Sequence, residues 1–362
     1  MRNIRVIEGP SLGGARAAAS GGAMTAPFDS LVAWIRAVGG HVGALGVDSR
    51  GGERGGDRGL FATAGAEEGA LLLRVPRACI VTTDVAAETD IGRWIAARFD
   101  GGSVEQVLLA AWILHRRDRP DPRWAPYLAT LPERVPTHPF FYDRARVHAL
   151  RGTSLEALVP ARRAFLLEEL GWLRAHVPDT AGWTDDAWLL ARTLVTSRLF
   201  GLEGAVGNAL VPLADLCNHA LTPGARWGLD GDDFVLHAAT ALAAGAEVHE
   251  GYGAKSNLRL LLHYGFTLAE NPEEDCIVDV EGQPVQLGAA PTEETVREAV
   301  EGLAWDGDEA RLHAALRRVC AARLAALPSA EEDAADEAVA LDAVRVRRGE
   351  RRVLAAWCAR LA

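Results

Sequence analysis

Cysteine is scarce and scattered in this chain. Cys79, Cys217, Cys276, Cys320 and Cys358 are all that its 362 residues contain. No two stand at Cys-x-x-Cys spacing, and none sits at a zinc-binding interval from a histidine. An odd, dispersed set in a chain this long argues against a disulfide framework and fits a reducing cytoplasm. A surplus of positive charge is missing too. Lys and Arg number 38 against 49 Asp and Glu, a net charge of −11. That balance argues against a general nucleic-acid binder and suits a basic protein partner better. No apolar run approaches the roughly 20 residues of a membrane span. The opening "GPSLGGARAAASGGAM" is too rich in small residues for a signal peptide. Residues 1 to 27 read as a disordered tail, with Met24 a candidate start.

Several motifs are absent where their fragments invite them. "HEGYGAKSN", residues 249 to 257, looks like a phosphate loop. Yet Ala254 separates Gly253 from Lys255, and Gly251 is too close for G-x-x-x-x-G-K-[ST]. The Gly-rich stretch at 51 to 59 lacks G-x-G-x-x-G. Asp215, His219, His237, His249, Glu250 and His263 form no H-E-x-x-H or other metal pattern, so no metal is expected. No repeat recurs at a fixed period.

What is present is a particular order of elements. "FDSLVAWIRAVGG" has helical spacing, and "LFATA" and "ALLLRVP" read as short strands. From about 100 to 200 the pattern turns helical in "VEQVLLAAWILHRR", "ARRAFLLEELGWLRAHV" and "TDDAWLLARTLVTSRLF", with Thr184 a start signal for the last. The prolines of "RWAPYLATLPERVPTHPFFYD" demand extended packing between the first two. "NALVPLADLCNH", "DDFVLHAAT" and "AEVHEGYG" read as β-rich, "SNLRLLLHYGF" as a helix, and residues 291 to 362 as two or three helices. This is α+β order, not the alternation that builds a parallel α/β sheet.

"LVPLADLCNHA" supplies Pro212, Asp215, Asn218 and His219. "HEGYGAKSNLRLLLHYGF" supplies Tyr252, Gly253, Ser256, Asn257, Tyr264, Gly265 and Phe266. With Gly59, Leu60 and Ala62 upstream and the phrase "WAPYLATLPE", these residues resemble SET-domain protein methyltransferases. The resemblance is to the Rubisco large-subunit methyltransferase branch, which includes the actin-histidine methyltransferases, and it covers residues 28 to 270. It implies a SET domain of short β-sheets with a pseudoknot and a helical insertion at about 100–200. An all-α C-terminal domain would follow at 271–362 and dock the substrate.

The resemblance also implies the chemistry: S-adenosyl-L-methionine as cofactor, and methyl transfer to a side-chain nitrogen of a protein. The attack is in line, so nucleophile and cofactor approach the methyl from opposite sides, and positioning is the catalyst's main task. Tyr252 takes the catalytic position. Asn218, His219, Asp215, Arg198, Tyr264 and the backbone at Gly56, Asp57 and Arg58 take the cofactor positions. Histidine-methylating relatives carry Trp and Asn where this chain has Ala214 and Phe200. The change removes the means of gripping an imidazole and offers an apolar or cation–π wall to an amine. Ala214, Phe200 and Lys255 are therefore the expected substrate positions, and lysine the expected target. The alternatives are histidine methylation and a non-catalytic SET-fold binding module. Adjacency alone does not make Glu250 a base.

Overall fold

Helix α1 (Ala26–Ala37) buries Phe28, Leu31, Val32 and Ile35, the face its three- and four-residue spacing defines. It opens the computed structural model, which describes residues 26–51, 57–202, 207–301 and 309–362. Expectations for residues 1–25, Met24 included, and for Gly56 lie outside the described residues. Short strands follow: β1 (His41–Val42), β2 (Leu45–Gly51), β3 (Asp57–Ala62), β4 (Leu71–Val75) and β5 (Val81–Thr82). The helical stretch holds α2 (Thr83–Ala87), α3 (Asp90–Arg98), α4 (Val104–Asp118), α5 (Ala125–Leu128), α6 (Arg144–Ala149), α7 (Leu155–His176) and α8 (Asp185–Arg198). Thr184 caps α8 by accepting from Ala187 N at 3.2 Å.

Strands then resume as β6 (Leu199–Leu202), β7 (Gly207–Leu210), β8 (Asn218–His219), β9 (Ala225–Asp230), β10 (Asp233–Ala238) and β11 (His249–Glu250). Helix α9 (Asn257–Tyr264) precedes a hairpin, β12 (Asp275–Val280) and β13 (Gln283–Gly288). Helices α10 (Glu293–Glu301), α11 (Glu309–Ala326) and α12 (Ala330–Arg360) complete the chain, the last broken at Ala340. The hairpin corrects the all-helical expectation for 271–362, whose remaining elements are helices.

Sequence-distant strands combine. Among the described residues, β1-β4-β10-β9 form an antiparallel sheet, β5-β7-β6 a second, and β2-β3 a hairpin. Residues 246–248 return to β3, with Val248 N bonding Leu60 O at 2.7 Å and Ala62 N bonding Ala246 O at 2.9 Å. The later strands thus close onto the first hairpin. One large apolar cluster joins α1, β3, β4, α4 and α8, with Leu60, Leu73, Trp112 and Trp188 at its centre. A second lies in the C-terminal unit around Cys276, Leu287, Leu316 and Trp357. A third, with Leu150, Leu258, Leu261 and Ala343, fills the junction between them.

Candidate active site

Strands β8 and β11 run parallel, with Asn218 opposite His249 and His219 opposite Glu250. That pairing brings the two sequence motifs into contact. Tyr252 N donates to His219 Nδ1 at 3.1 Å, and the Tyr252 hydroxyl donates to the Cys217 carbonyl at 2.7 Å. The His219, Tyr252 and Tyr264 rings stack, with centroids 5.2 Å and 4.8 Å apart. Phe266 meets Tyr252 and Tyr264 edge-on. The local sequence dictates this. Ser256 caps α9 by accepting from Arg259 N, and Gly265, at φ +81°, ends the helix in the left-handed region that glycine tolerates. The chain then turns Phe266 back toward Tyr252.

These rings line a cleft of about 470 Å³, together with Arg58, Arg198, Asp215, Asn218, and Pro132 and Arg134 to Thr137 from an irregular segment. Asn218 Nδ2 donates to the Arg58 carbonyl at 3.1 Å and to Glu247 Oε1 at 2.6 Å, tying the β2-β3 hairpin to β8. Arg198, ending α8, donates through Nη1 to the Asp215 carbonyl at 2.6 Å. Asp215 Oδ2 accepts from the Tyr127 hydroxyl at 2.9 Å and lies 3.7 Å from Arg198 Nη1. Burial pushes the Asp215 carboxyl up while Arg198 opposes it, which makes it a bonded node.

Two polar atoms stand unfilled here. His219 Nε2 and Arg198 Nε are buried without a hydrogen-bond partner. Burial holds the His219 imidazole below its ordinary value. Since Nδ1 accepts from Tyr252, the neutral ring carries its proton on Nε2. Both atoms are therefore donors, on residues that line the cleft, and both suit a ligand with acceptor atoms. Burial, and then Glu250, push the Tyr252 phenol well above its ordinary value, so it stays protonated.

The remaining site residues are more dispersed. Asp57 begins β3 opposite Gly51. Lys255 sits on the loop after Tyr252, its carbonyl held by Asn271 Nδ2 at 2.9 Å. Ala214 is buried beside Asp215. Phe200, on β6, packs edge-on against Trp227 and Phe234 at 5.7 Å and 5.2 Å. Neither Ala214 nor Phe200 lines the cleft. Sequence reasoning missed the Arg58 guanidinium, which donates to the Thr130 carbonyl at 2.8 Å. It also missed Glu247, for which the sequence carries no signal, and the cleft wall at 132–137, whose prolines were the available sign. Among the described residues no group of three or more His, Cys, Asp or Glu gathers as for a metal ion. No helix among them is long and apolar enough to cross a membrane.

No protein-family model matches the chain. An actin-histidine N-methyltransferase of Gallus gallus is 25% identical over 232 residues, covering 60% of this chain and 39% of the relative. The Homo sapiens protein of that name is 26% identical over the same shares. The chain thus spans about two fifths of the length of the curated relatives it matches. A crystal structure of the SET domain of LSMT bound to MeLysine and AdoHcy matches with TM-score 0.77. It is 18% identical, covering 94% of this chain and 92% of that one. A structure of Rubisco LSMT bound to AdoMet matches at TM-score 0.75 and 18% identity, over 93% and 92%. The shared fold is that of the SET domain with its C-terminal helices.

Proposed function

We propose that this chain, which carries the SET-domain fold of the LSMT-like branch, transfers a methyl group from S-adenosylmethionine to a protein side-chain nitrogen, that of lysine. The observation that carries the proposal is the meeting of β8 and β11. It sets a ring stack in one cleft, two of whose lining residues, His219 and Arg198, carry a buried nitrogen without a partner. The cofactor supplies an electrophilic methyl on a cationic sulfonium. Its carboxylate and adenine nitrogens are acceptors of the kind His219 Nε2 and Arg198 Nε lack. The residues that would hold it are Arg198, Asn218, His219, Tyr264 and the backbone at Asp57 and Arg58.

The chain's own contribution is positioning. The Cys217 carbonyl fixes the Tyr252 hydroxyl, and the stack on His219 and Tyr264 fixes its ring. A phenol so held keeps its oxygen aimed at one point, where it orients the nitrogen and the methyl. Ring faces at this place also favour cationic groups. Ala214 and Phe200 stand where histidine-methylating relatives carry Trp and Asn, and the absence of those groups, not a contact with the cleft, supports lysine. So does the lysine-type ligand in the similar structure bound to MeLysine. The relatives named for histidine favour the other target. The C-terminal unit is the proposed docking surface for the substrate protein. Five unpaired thiols suit a reducing cytoplasm.

Calorimetric titration with S-adenosylmethionine is the first test, and a chain that does not bind it is not this enzyme. Tyr252→Phe should cut turnover roughly 10²-fold or more while cofactor affinity stays within a few-fold. Unchanged turnover would remove Tyr252 from the mechanism. The target follows from incubating labelled cofactor and purified protein with lysate of a strain lacking the gene. Mass spectrometry of the labelled band should find methyl-lysine; methyl-histidine would reverse the assignment.

A further inference from the structure

Close to Tyr252 lies a carboxyl whose burial the fold does not explain. Glu250 is 7% exposed, stands on β11 opposite His219, and precedes Tyr252 by two residues. Its Oε2 is buried without a hydrogen-bond partner. Among the described residues no cation pairs with it, and the charge bearing on it is the like charge of Asp215. Other acids at buried or half-buried positions have side-chain partners. Asp215 has Tyr127 and Arg198, Glu247 has Asn218 and His249, Glu274 has Asn257, and Glu350 has Ser154 and Arg323. An unpaired buried carboxyl is costly, and an apolar side chain would fill the same space without that cost. A group kept at such expense is explained by a partner that arrives from outside.

The surroundings indicate what that partner is. After burial, Glu250 is the next cause that raises the Tyr252 and Tyr264 phenols, and it also acts on Cys217, whose carbonyl holds the Tyr252 hydroxyl. Glu250 ends the strand β11 that leads, two residues on, into Tyr252. Glu250 is not among the residues that line the cleft. In-line transfer needs a nucleophile arriving opposite the methyl donor. We infer that the Glu250 carboxylate is the anionic end of the substrate channel and binds the cationic amine of the target side chain beside the Tyr252 hydroxyl. The inference rests on the methyltransferase reading above. An alkylammonium brings the N–H donors and the charge that Oε2 lacks.

The site has a pH signature. Burial, then the like charge of Asp215, push the Glu250 carboxyl up to about 8. Around it, Cys217, Tyr252 and Tyr264 are raised and stay protonated through that range, while His219 is lowered and stays neutral. Arg198 faces Asp215, His249 on the same strand pairs with Glu247 at 3.3 Å, and Lys255 lies on the following loop. An alkylammonium keeps its charge up to about pH 10.4. Its affinity should therefore rise as Glu250 ionises.

The test titrates n-butylammonium chloride, a stand-in for the lysine side chain, into the full chain saturated with S-adenosylhomocysteine. We expect binding at pH 8.5 that weakens roughly tenfold or more by pH 6.5. In Glu250→Gln the affinity should be low at both pH values, with S-adenosylhomocysteine affinity unchanged. Equal, pH-independent affinity in both proteins, or no amine binding to either while S-adenosylhomocysteine still binds, overturns the inference and leaves the methyltransferase reading standing. Failure of the unsubstituted chain to bind S-adenosylhomocysteine removes that reading, and this inference with it. Should the variant not fold, the pH series on the unsubstituted chain decides alone.

Discussion

Gly59 has no room for a side chain. A Cβ there would lie 2.4 Å from Glu247 Oε1 and 3.0 Å from Asn218 Nδ2, the two groups that tie β3 to the cleft. We expect Gly59→Ala to cost about 1–3 kcal/mol, as overpacking of close-fitted sites does. S-adenosylmethionine affinity, measured by calorimetry, should fall with it because Asn218 is displaced. An unchanged melting temperature and affinity would mean that Glu247 moves aside freely. At this scale the sequence was legible where spacing carries the chemistry. Asn218 with His219 and Tyr252 with Tyr264 stood in two ordered motifs, and the structure sets all four along one cleft. Glu250 was not legible, because adjacency to Tyr252 reveals neither its burial nor its lack of a partner. Phe200 packs on Trp227 and Phe234, side chains some 30 residues onward, which a single strand's pattern does not announce.

Among the elements, α9 is held at its first turn by one side chain. Asn257 Nδ2 donates to the Leu268 carbonyl and to Glu274 Oε1, each at 3.0 Å, and its Oδ1 accepts from Leu268 N at 2.8 Å. Its backbone N–H also donates to Glu274 Oε2 at 3.1 Å. Asn257→Ala strands the Leu268 groups and half of the Glu274 contacts in a buried place. We expect a loss of about 2–4 kcal/mol, seen as a lower midpoint in urea with an unaltered slope. Ser256→Ala, which removes only the cap, should cost about 1 kcal/mol. If the two variants lose equal stability, the Asn257 network is not what holds the helix. Helices α4, α7, α8 and α9 were readable because their apolar residues recur three and four apart, and α8 also because Thr184 caps it. The β12-β13 hairpin was not. Its turn places Glu281 at φ +53° beside Gly282 at φ +87°, a position where Asn or Asp is the usual signal. Pro284 within β13 weakened the strand pattern further. Two-residue strands such as β8 and β11 have no period to detect, so only the motifs they carry gave them away.

Over the whole molecule, the C-terminal unit is joined to the rest through buried acids. Glu350 of α12 accepts from Ser154 N at 2.8 Å and 3.1 Å and pairs with Arg323 at 3.0 Å. Glu274 lies against Gly349 of α12, where a Cβ would come within 2.4 Å of it. Burial pushes Glu274 and Glu350 each up to about 7, above the 4.5 of an unburied glutamate. The sign follows from proton linkage: the folded chain holds these protons more tightly than the unfolded one. The stabilising contribution is complete below about 4.5 and drains away as pH rises through 7. Glu250, raised to about 8, extends the same loss by another unit. We therefore expect the melting temperature to fall between about pH 6.5 and 8.5, above the range in which His138 and His263, each lowered to about 4 by burial, add stability as pH rises. The double variant Glu274→Gln/Glu350→Gln should lie close to the unsubstituted chain at pH 5.5, where both acids are protonated and neutral beside Arg352 and Arg323. Between pH 6 and 7.5 its slope should be markedly flatter, because the groups that release protons there are gone. A slope as steep as that of the unsubstituted chain would assign the pH response to groups away from this junction, and the buried acids would then bind it without sensing pH.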